Sequence, residues 1–170
     1  MPEGCEKMSK QGDAAYAWFL KGYNCSQSVV AAFAPQLGLT EETALRLSAG
    51  FGAGIGRMRE VCGAFCGVVT GLSMVYADPT DPKDKSRMYA LVQQAAEQYR
   101  TRNGGGSIIC RELLAKAGAA PAGGTAAEER TAEYYKKRPC PELCRLCADL
   151  CAEFIAAHPE GRHGFYKEDA

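Results

Sequence analysis

From Ser9 to about Lys21, apolar residues recur at helical spacing in a polar background, predicting an amphipathic helix that buries Ala14, Ala17, Trp18 and Leu20 and stops at Gly22. Asn24 with Gln27 three residues on is a capping-box pair, so a second helix begins with Cys25 in its first turn and ends near Gln36 to Gly38. Thr40-Glu41-Glu42 opens a third helix through Leu45, Leu47 and Ala49. It dissolves in Gly50-Phe-Gly-Ala-Gly-Ile-Gly56-Arg57, where glycine at every second position forbids a stable helix. A fourth helix carries Cys62 and lines up Gly63, Gly67 and Gly71 as a bare stripe, against which another backbone or a flat cofactor can lie.

After Asp78 to Pro82, a long helix is predicted from about Lys83 to Arg102, with Met88, Leu91, Val92, Ala95 and Tyr99 facing inward. Ser107 caps a short helix bearing Cys110, Leu113 and Leu114, and Pro121 to Thr125 has the composition of a mobile loop. A last helix runs from Pro141 to about Ala157, with Cys140, Cys144, Cys147 and Cys151 on one face. Alternation of the strand type is absent, so the expected fold is all-α, a single-domain bundle of about six to seven helices spanning residues 1–170. Residues 1–8 and 159–170 read as loosely ordered tails, the second containing Arg162, His163, Phe165 and Tyr166.

Charge and composition narrow the function. Twenty Lys plus Arg balance twenty Asp plus Glu with no block of one sign, which argues against a nucleic-acid groove or a basic membrane face. The longest apolar run, Val61 to Ala77, is broken by Gly63, Gly67, Thr70, Gly71 and Ser73 and reads as a buried helix, not a membrane span. The first ten residues lack the apolar core of a signal peptide, so a cytoplasmic setting is expected. There the nine cysteines, an odd number, stay as thiols unless they bind metal or do redox chemistry. A redox partner protein or a small molecule is the expected partner, and a homo-oligomer is compatible with the composition.

Four cysteines fall where a helix begins: Cys25, Cys62, Cys110 and Cys140. Free N–H groups and the positive end of the helix dipole stabilise a thiolate, which is both the nucleophile and the metal ligand. The segment Cys62-Gly63-Ala64-Phe65-Cys66-Gly67 carries a C-G-A-x-x-G signature, accompanied by Tyr23-Asn24-Cys25-Ser26-Gln27, the Gly50 to Arg57 loop, Cys110-Arg111-Glu112-Leu113-Leu114 and Cys140-Pro141. In these motifs and their order, from about Ala15 to Phe154, the chain resembles the C_GCAxxG_C_C family of redox-active proteins. The resemblance implies a small bacterial helical protein with Cys25, Cys62, Cys110 and Cys140 as its characteristic cysteines, with relatives that include a domain attached to a haem protein and linked to an iron centre. The additional Cys66, Cys144, Cys147 and Cys151 are secondary candidates, and Cys5 reads as incidental.

Three chemistries follow. Four thiolates from four helix starts can enclose an Fe–S cluster or another metal. A cluster is favoured over zinc because the cysteines are 37, 48 and 30 residues apart instead of paired in C-x-x-C knuckles. Alternatively, Cys62 or Cys110 is a low-pKa attacking thiol in thiol–disulfide exchange, with its partner on another helix because an i, i+4 pair such as Cys62 and Cys66 spans too far. Cysteines in helical cores can also be plain buried hydrophobes, which would make the protein structural. Gly52, Gly54, Gly56 and Arg57, with Gly63 and Gly67, are the candidate cofactor contacts, although no strand precedes the loop as a dinucleotide fingerprint requires. Arg57 and Arg59 can equally offset thiolate charge. His158 and His163 lie beyond the last helix and read as tail residues.

Overall fold

The helix starts are set by local chemistry. Ser9 accepts from the Gly12 N–H at 2.9 Å, Asn24 and Gln27 cap each other at 3.0 and 3.1 Å, and Thr40 accepts from Thr43 N–H at 3.1 Å. In the computed structural model, which describes residues 8–164 and 166–170, these caps belong to an all-α bundle. Its eight helices are α1 (Lys10–Leu20), α2 (Cys25–Ala32), α3 (Glu41–Ser48), α4 (Gly63–Tyr76), α5 (Lys85–Arg102), α6 (Cys110–Lys116), α7 (Ala132–Lys137) and α8 (Cys140–Ala157). A 3-10 turn, Ala49–Phe51, follows α3, and no strand is present among the described residues. The count exceeds the expected six to seven by the six-residue α7, capped by Thr131. Cys5 and Phe165 lie outside the described residues.

α8 packs against α1, α2, α4 and α5. Its face carries Leu143, Cys144, Cys147, Leu150, Cys151 and Phe154 into one core with Phe19, Val29, Phe65, Val68, Leu72 and Tyr99. The small residues of α4 let its neighbours close in. A methyl group on Gly67 would sit 2.6 Å from the Val29 Cβ, and one on Gly71 would sit 3.3 Å from the Cys151 sulfur. The glycine stripe is thus covered by α2 and α8.

Two expectations are corrected. α1 buries Gly12, Ala15 and Phe19, while Ala17 and Leu20 are exposed and Ala14 and Trp18 are half-buried. The cause is Asp149 of α8, which takes the Ser9 N–H at 2.8 Å and the Ser9 hydroxyl at 2.5 Å and leaves Gly12 no room for a side chain. The tail after Pro159 is bonded to the bundle: the His163 N–H donates to Val75 O at 2.9 Å, and Lys167 N–H donates to Gln36 O at 3.0 Å.

The Gly-rich loop after the 3-10 turn adopts an uncommon backbone. Ala53, Gly54, Ile55, Gly56 and Arg57 all have positive φ, from 54° to 75°, and Arg59 follows at 61°. Left-handed backbone costs a residue with a Cβ about 1–2 kcal/mol. Here it is held by internal bonds, among them Gly56 N–H to Gly50 O at 2.8 Å and Glu60 N–H to Gly54 O at 2.9 Å. Ala53→Gly is therefore expected to stabilise the protein by about 0.5–1 kcal/mol, the relief of left-handed strain less the added freedom of the unfolded chain. Chemical denaturation of the two proteins measures it.

Candidate redox site

Cys25, Cys62, Cys110 and Cys140 line one cavity of about 120 Å³. Each reaches it from the start of a helix: Cys25, Cys110 and Cys140 are the first residues of α2, α6 and α8, and Cys62 is the residue before α4. Two of these starts are tied together by backbone. Val61 and Ile109 form an isolated antiparallel bridge, with Cys62 N–H donating to Ile108 O at 2.7 Å and Cys110 N–H to Glu60 O at 2.6 Å. Cys25 is brought in from the other side, because Gly63 has no side chain: a Cβ there would lie 2.4 Å from the Cys25 sulfur.

Three of the sulfurs have a distinct polar neighbour. The Ala53 N–H donates to the Cys25 sulfur at 3.4 Å, the Tyr99 hydroxyl stands 3.4 Å from the Cys62 sulfur, and Arg59 Nη1 lies 3.9 Å from the Cys110 sulfur. Tyr99 is fully buried and stacks on Phe65 with ring centroids 5.5 Å apart, which fixes its hydroxyl. The other candidates stay off the cavity wall. Cys66, half-buried, points back to Val61 O at 3.9 Å; Cys144 stands behind Cys25, its sulfur 3.7 Å from Cys25 O; Cys147 and Cys151 are fully buried in the core. The eight described cysteines are free thiols.

Burial dominates their acidity. It pushes Cys140 up to about 12 and Cys66 up to about 11, and it raises Cys25 and Cys110 as well. The charge that Cys62 would carry as a thiolate raises these four further. Arg59 pulls Cys110 down by hydrogen bond and charge, but less than burial raises it. The lowered thiol expected of Cys110 from its helix start is therefore corrected: loss of water outweighs a helix end only seven residues long.

The Gly-rich loop is packed and not an open cradle. Its N–H groups at Ile55, Gly56, Arg57, Arg59 and Glu60 donate to carbonyls of the same loop. Side chains on Gly52 and Gly54 would strike Asn24 and the Cβ of Cys110, at 2.3 and 2.7 Å; Gly56 faces Gly50 O no nearer than 3.9 Å. A phosphate finds no free donors among those five N–H groups, and Gly52, Gly54, Gly63 and Gly67, unlike Gly56, are positions of close approach between neighbouring segments. Arg57, shielded at the cavity wall, reaches the 120–131 segment, bonding Gly124 O at 2.9 Å and also Gly123 O, while Arg59 Nε bonds Ala122 O at 3.1 Å. The stretch read as a mobile loop is thus tied across the site.

Sequence reasoning placed Tyr99 inward but gave it no part in the site, and it missed Glu128, Arg130 and Arg138. Arg130 holds Phe19 O and Tyr23 O at 3.2 and 3.1 Å and lies over the Phe19 ring at 3.9 Å; Arg138 pairs with Glu128. All but Tyr99 line the cavity, from a stretch whose only prior signal was its charge.

An all-α bundle that turns four thiols into one cavity defines a helical thiol protein. The family model described as "Putative redox-active protein (C_GCAxxG_C_C)" matches residues 23–154, and the chain belongs to that family. No curated protein and no solved structure matches it. Among the described residues, no helix is long and apolar enough to cross a membrane.

Proposed function

We propose that the cavity holds a redox centre bound by Cys25, Cys62, Cys110 and Cys140, and that the protein transfers electrons through it. The observation that carries this reading is the lining of one cavity by these four thiols from four separate segments. Among the described residues, no three Cys, His, Asp or Glu side chains gather closely enough to hold a single metal ion. Thiols spaced round a void suit an occupant with its own volume, and an iron–sulfur cluster has four-cysteine ligation and that volume. Such a cluster would supply one-electron redox chemistry. The chain's own contribution is the environment: the Ala53 N–H and the Tyr99 hydroxyl at two of the sulfurs, Arg59 against the charge of a third, and the apolar Leu113, Leu114 and Leu143 that keep water out. The raised thiols must lose protons to ligate, so loading is favoured at higher pH. A reducing compartment such as the cytoplasm fits eight free thiols, with a redox protein or a small molecule as electron partner.

Arg59 beside Cys110 favours a second reading, thiol–disulfide exchange, in which Arg59 offsets part of the rise that burial imposes on the attacking Cys110 thiol. One experiment separates the two. Protein purified without oxygen and supplied with ferrous iron and sulfide is expected to retain both, with visible absorption that bleaches on reduction, and Cys62→Ser with Cys140→Ser is expected to abolish retention. Wild-type protein that keeps neither iron nor sulfide while its thiols remain titratable would overturn the cluster and leave exchange.

A further inference from the structure

The cavity has a second chemical character besides its thiols. Arg57, Arg59 and Arg138 converge on one carboxylate, that of Glu128: Arg57 Nη2 stands 3.6 Å from its Oε1, Arg59 Nη2 stands 4.0 Å from it, and Arg138 bonds it directly. The three guanidinium side chains are 13%, 10% and 7% exposed, while that of Glu128 is 35% exposed. Among the described lining residues, Glu128 is the one acid. Three shielded positive charges therefore face a single negative one, and buried charge without a counter-charge is costly. The carboxylate sits on the segment between α6 and α7 that has neither helix nor strand, and that segment is held by arginine-to-carbonyl bonds at Ala122, Gly123 and Gly124. Arg59 reaches Glu128 with one end of its fork, at 4.0 Å, and the Cys110 sulfur with the other, at 3.9 Å.

We propose that Arg57, Arg59 and Arg138 form a binding site for a small molecule with a carboxylate-like oxyanion head, that Glu128 is its built-in placeholder, and that the bound anion lies beside the Cys110 thiol. The site rests on the reading of this cavity as the redox site only for its purpose; its anion preference stands without a cluster. A planar oxyanion meets the guanidinium forks as Glu128 does, and its arrival supplies the missing negative charge. Release of Glu128 removes one of the ties that hold the segment over the cavity, the others being the arginine bonds to the carbonyls of Ala122, Gly123 and Gly124.

The test uses reduced, metal-free protein and two reagents with one warhead, iodoacetate and iodoacetamide. Both react through the same thiolate, so the ratio of their rates at one cysteine cancels its acidity and reads the local field. At low ionic strength the iodoacetate-to-iodoacetamide ratio at Cys110, read by peptide mass spectrometry, is expected to exceed that at Cys66 on the order of tenfold. Glu128→Gln should raise it further, and Arg59→Gln or about 1 M salt should erase it. Equal ratios at Cys110 and Cys66 in both wild type and Glu128→Gln would overturn the site. Where Cys110 reacts with neither reagent, Glu128→Ala decides: acetate is expected to restore its lowered thermal midpoint and acetamide or chloride is not. Failure of acetate to do so would overturn the site equally.

Discussion

Alkaline titration of the reduced protein is expected to unfold it about two pH units above the acidity of a free thiol, near pH 10.5. Cys144, Cys147 and Cys151 have no exposed surface, and burial pushes Cys151 up to about 12 and the other two well above their ordinary range. The Tyr99 hydroxyl offsets only part of the rise at Cys147. In the unfolded chain the same thiols ionise near pH 8.5. Between these values the native state keeps protons that the unfolded state has lost, so stability is full below about pH 8.5 and falls as pH rises. Each thiol removes about 1.4 kcal/mol per pH unit, and the three together about 4 kcal/mol. A domain stable by about 5–15 kcal/mol is exhausted within a few such units. Helical circular dichroism against pH measures the transition, and replacing the three cysteines by alanine should remove about three protons from its slope. A wild-type signal that stays flat past about pH 12, beyond the reach of even about 15 kcal/mol of stability, would mean that these thiols are wet in solution.

The second large effect is expected of Gly54→Ala. A Cβ at this position meets the Glu60 N at 2.6 Å and both the Arg59 Cα and the Cys110 Cβ at 2.7 Å, with φ at +75°. Left-handed strain adds about 1–2 kcal/mol and overpacking against backbone about 1–3 kcal/mol, for a total of about 3 kcal/mol. That lowers the thermal midpoint by about 6–12 °C in a chain of this length. Because the clash is with the elements that set Cys110 against Arg59, the same variant should lose the charge preference at Cys110. Gly56→Ala is the matched comparison. It has φ +55° but its nearest neighbour is Gly50 O at 3.9 Å, so it carries the strain alone, about 1 kcal/mol. Equal loss of stability in the two variants would show that Gly54 is not wedged between the loop and α6.

Much of the helical order is legible because it is local. Asn24 with Gln27, Thr40 and Ser9 are caps whose partners lie three residues away, and Gly22 follows α1 in left-handed backbone, whereas α2 stops at Ala32, short of the end predicted near Gln36 to Gly38. The buried face of α1 is not legible in the same way, since Gly12 owes its burial to Asp149, and a glycine carries no hydrophobic signal. α7 escapes for a related reason: Tyr134 and Tyr135 are half-buried and its other residues exposed, so six residues offer little periodicity.

By itself the sequence determined seven of the eight helices, the caps at Asn24 and Thr40, and the seating of Cys25, Cys62, Cys110 and Cys140 at or beside four helix starts, because capping and periodicity act within a few residues; the Ser107 cap expected for α6 falls instead at Ile109, with no side-chain bond. Only the tertiary structure decided that these starts wall one cavity, that water-poor packing raises three of those thiols against their helix ends, and that Glu128 meets Arg57, Arg59 and Arg138 there. Those relations depend on desolvation and charge between residues far apart in the chain, and such forces leave no spacing in a sequence to read.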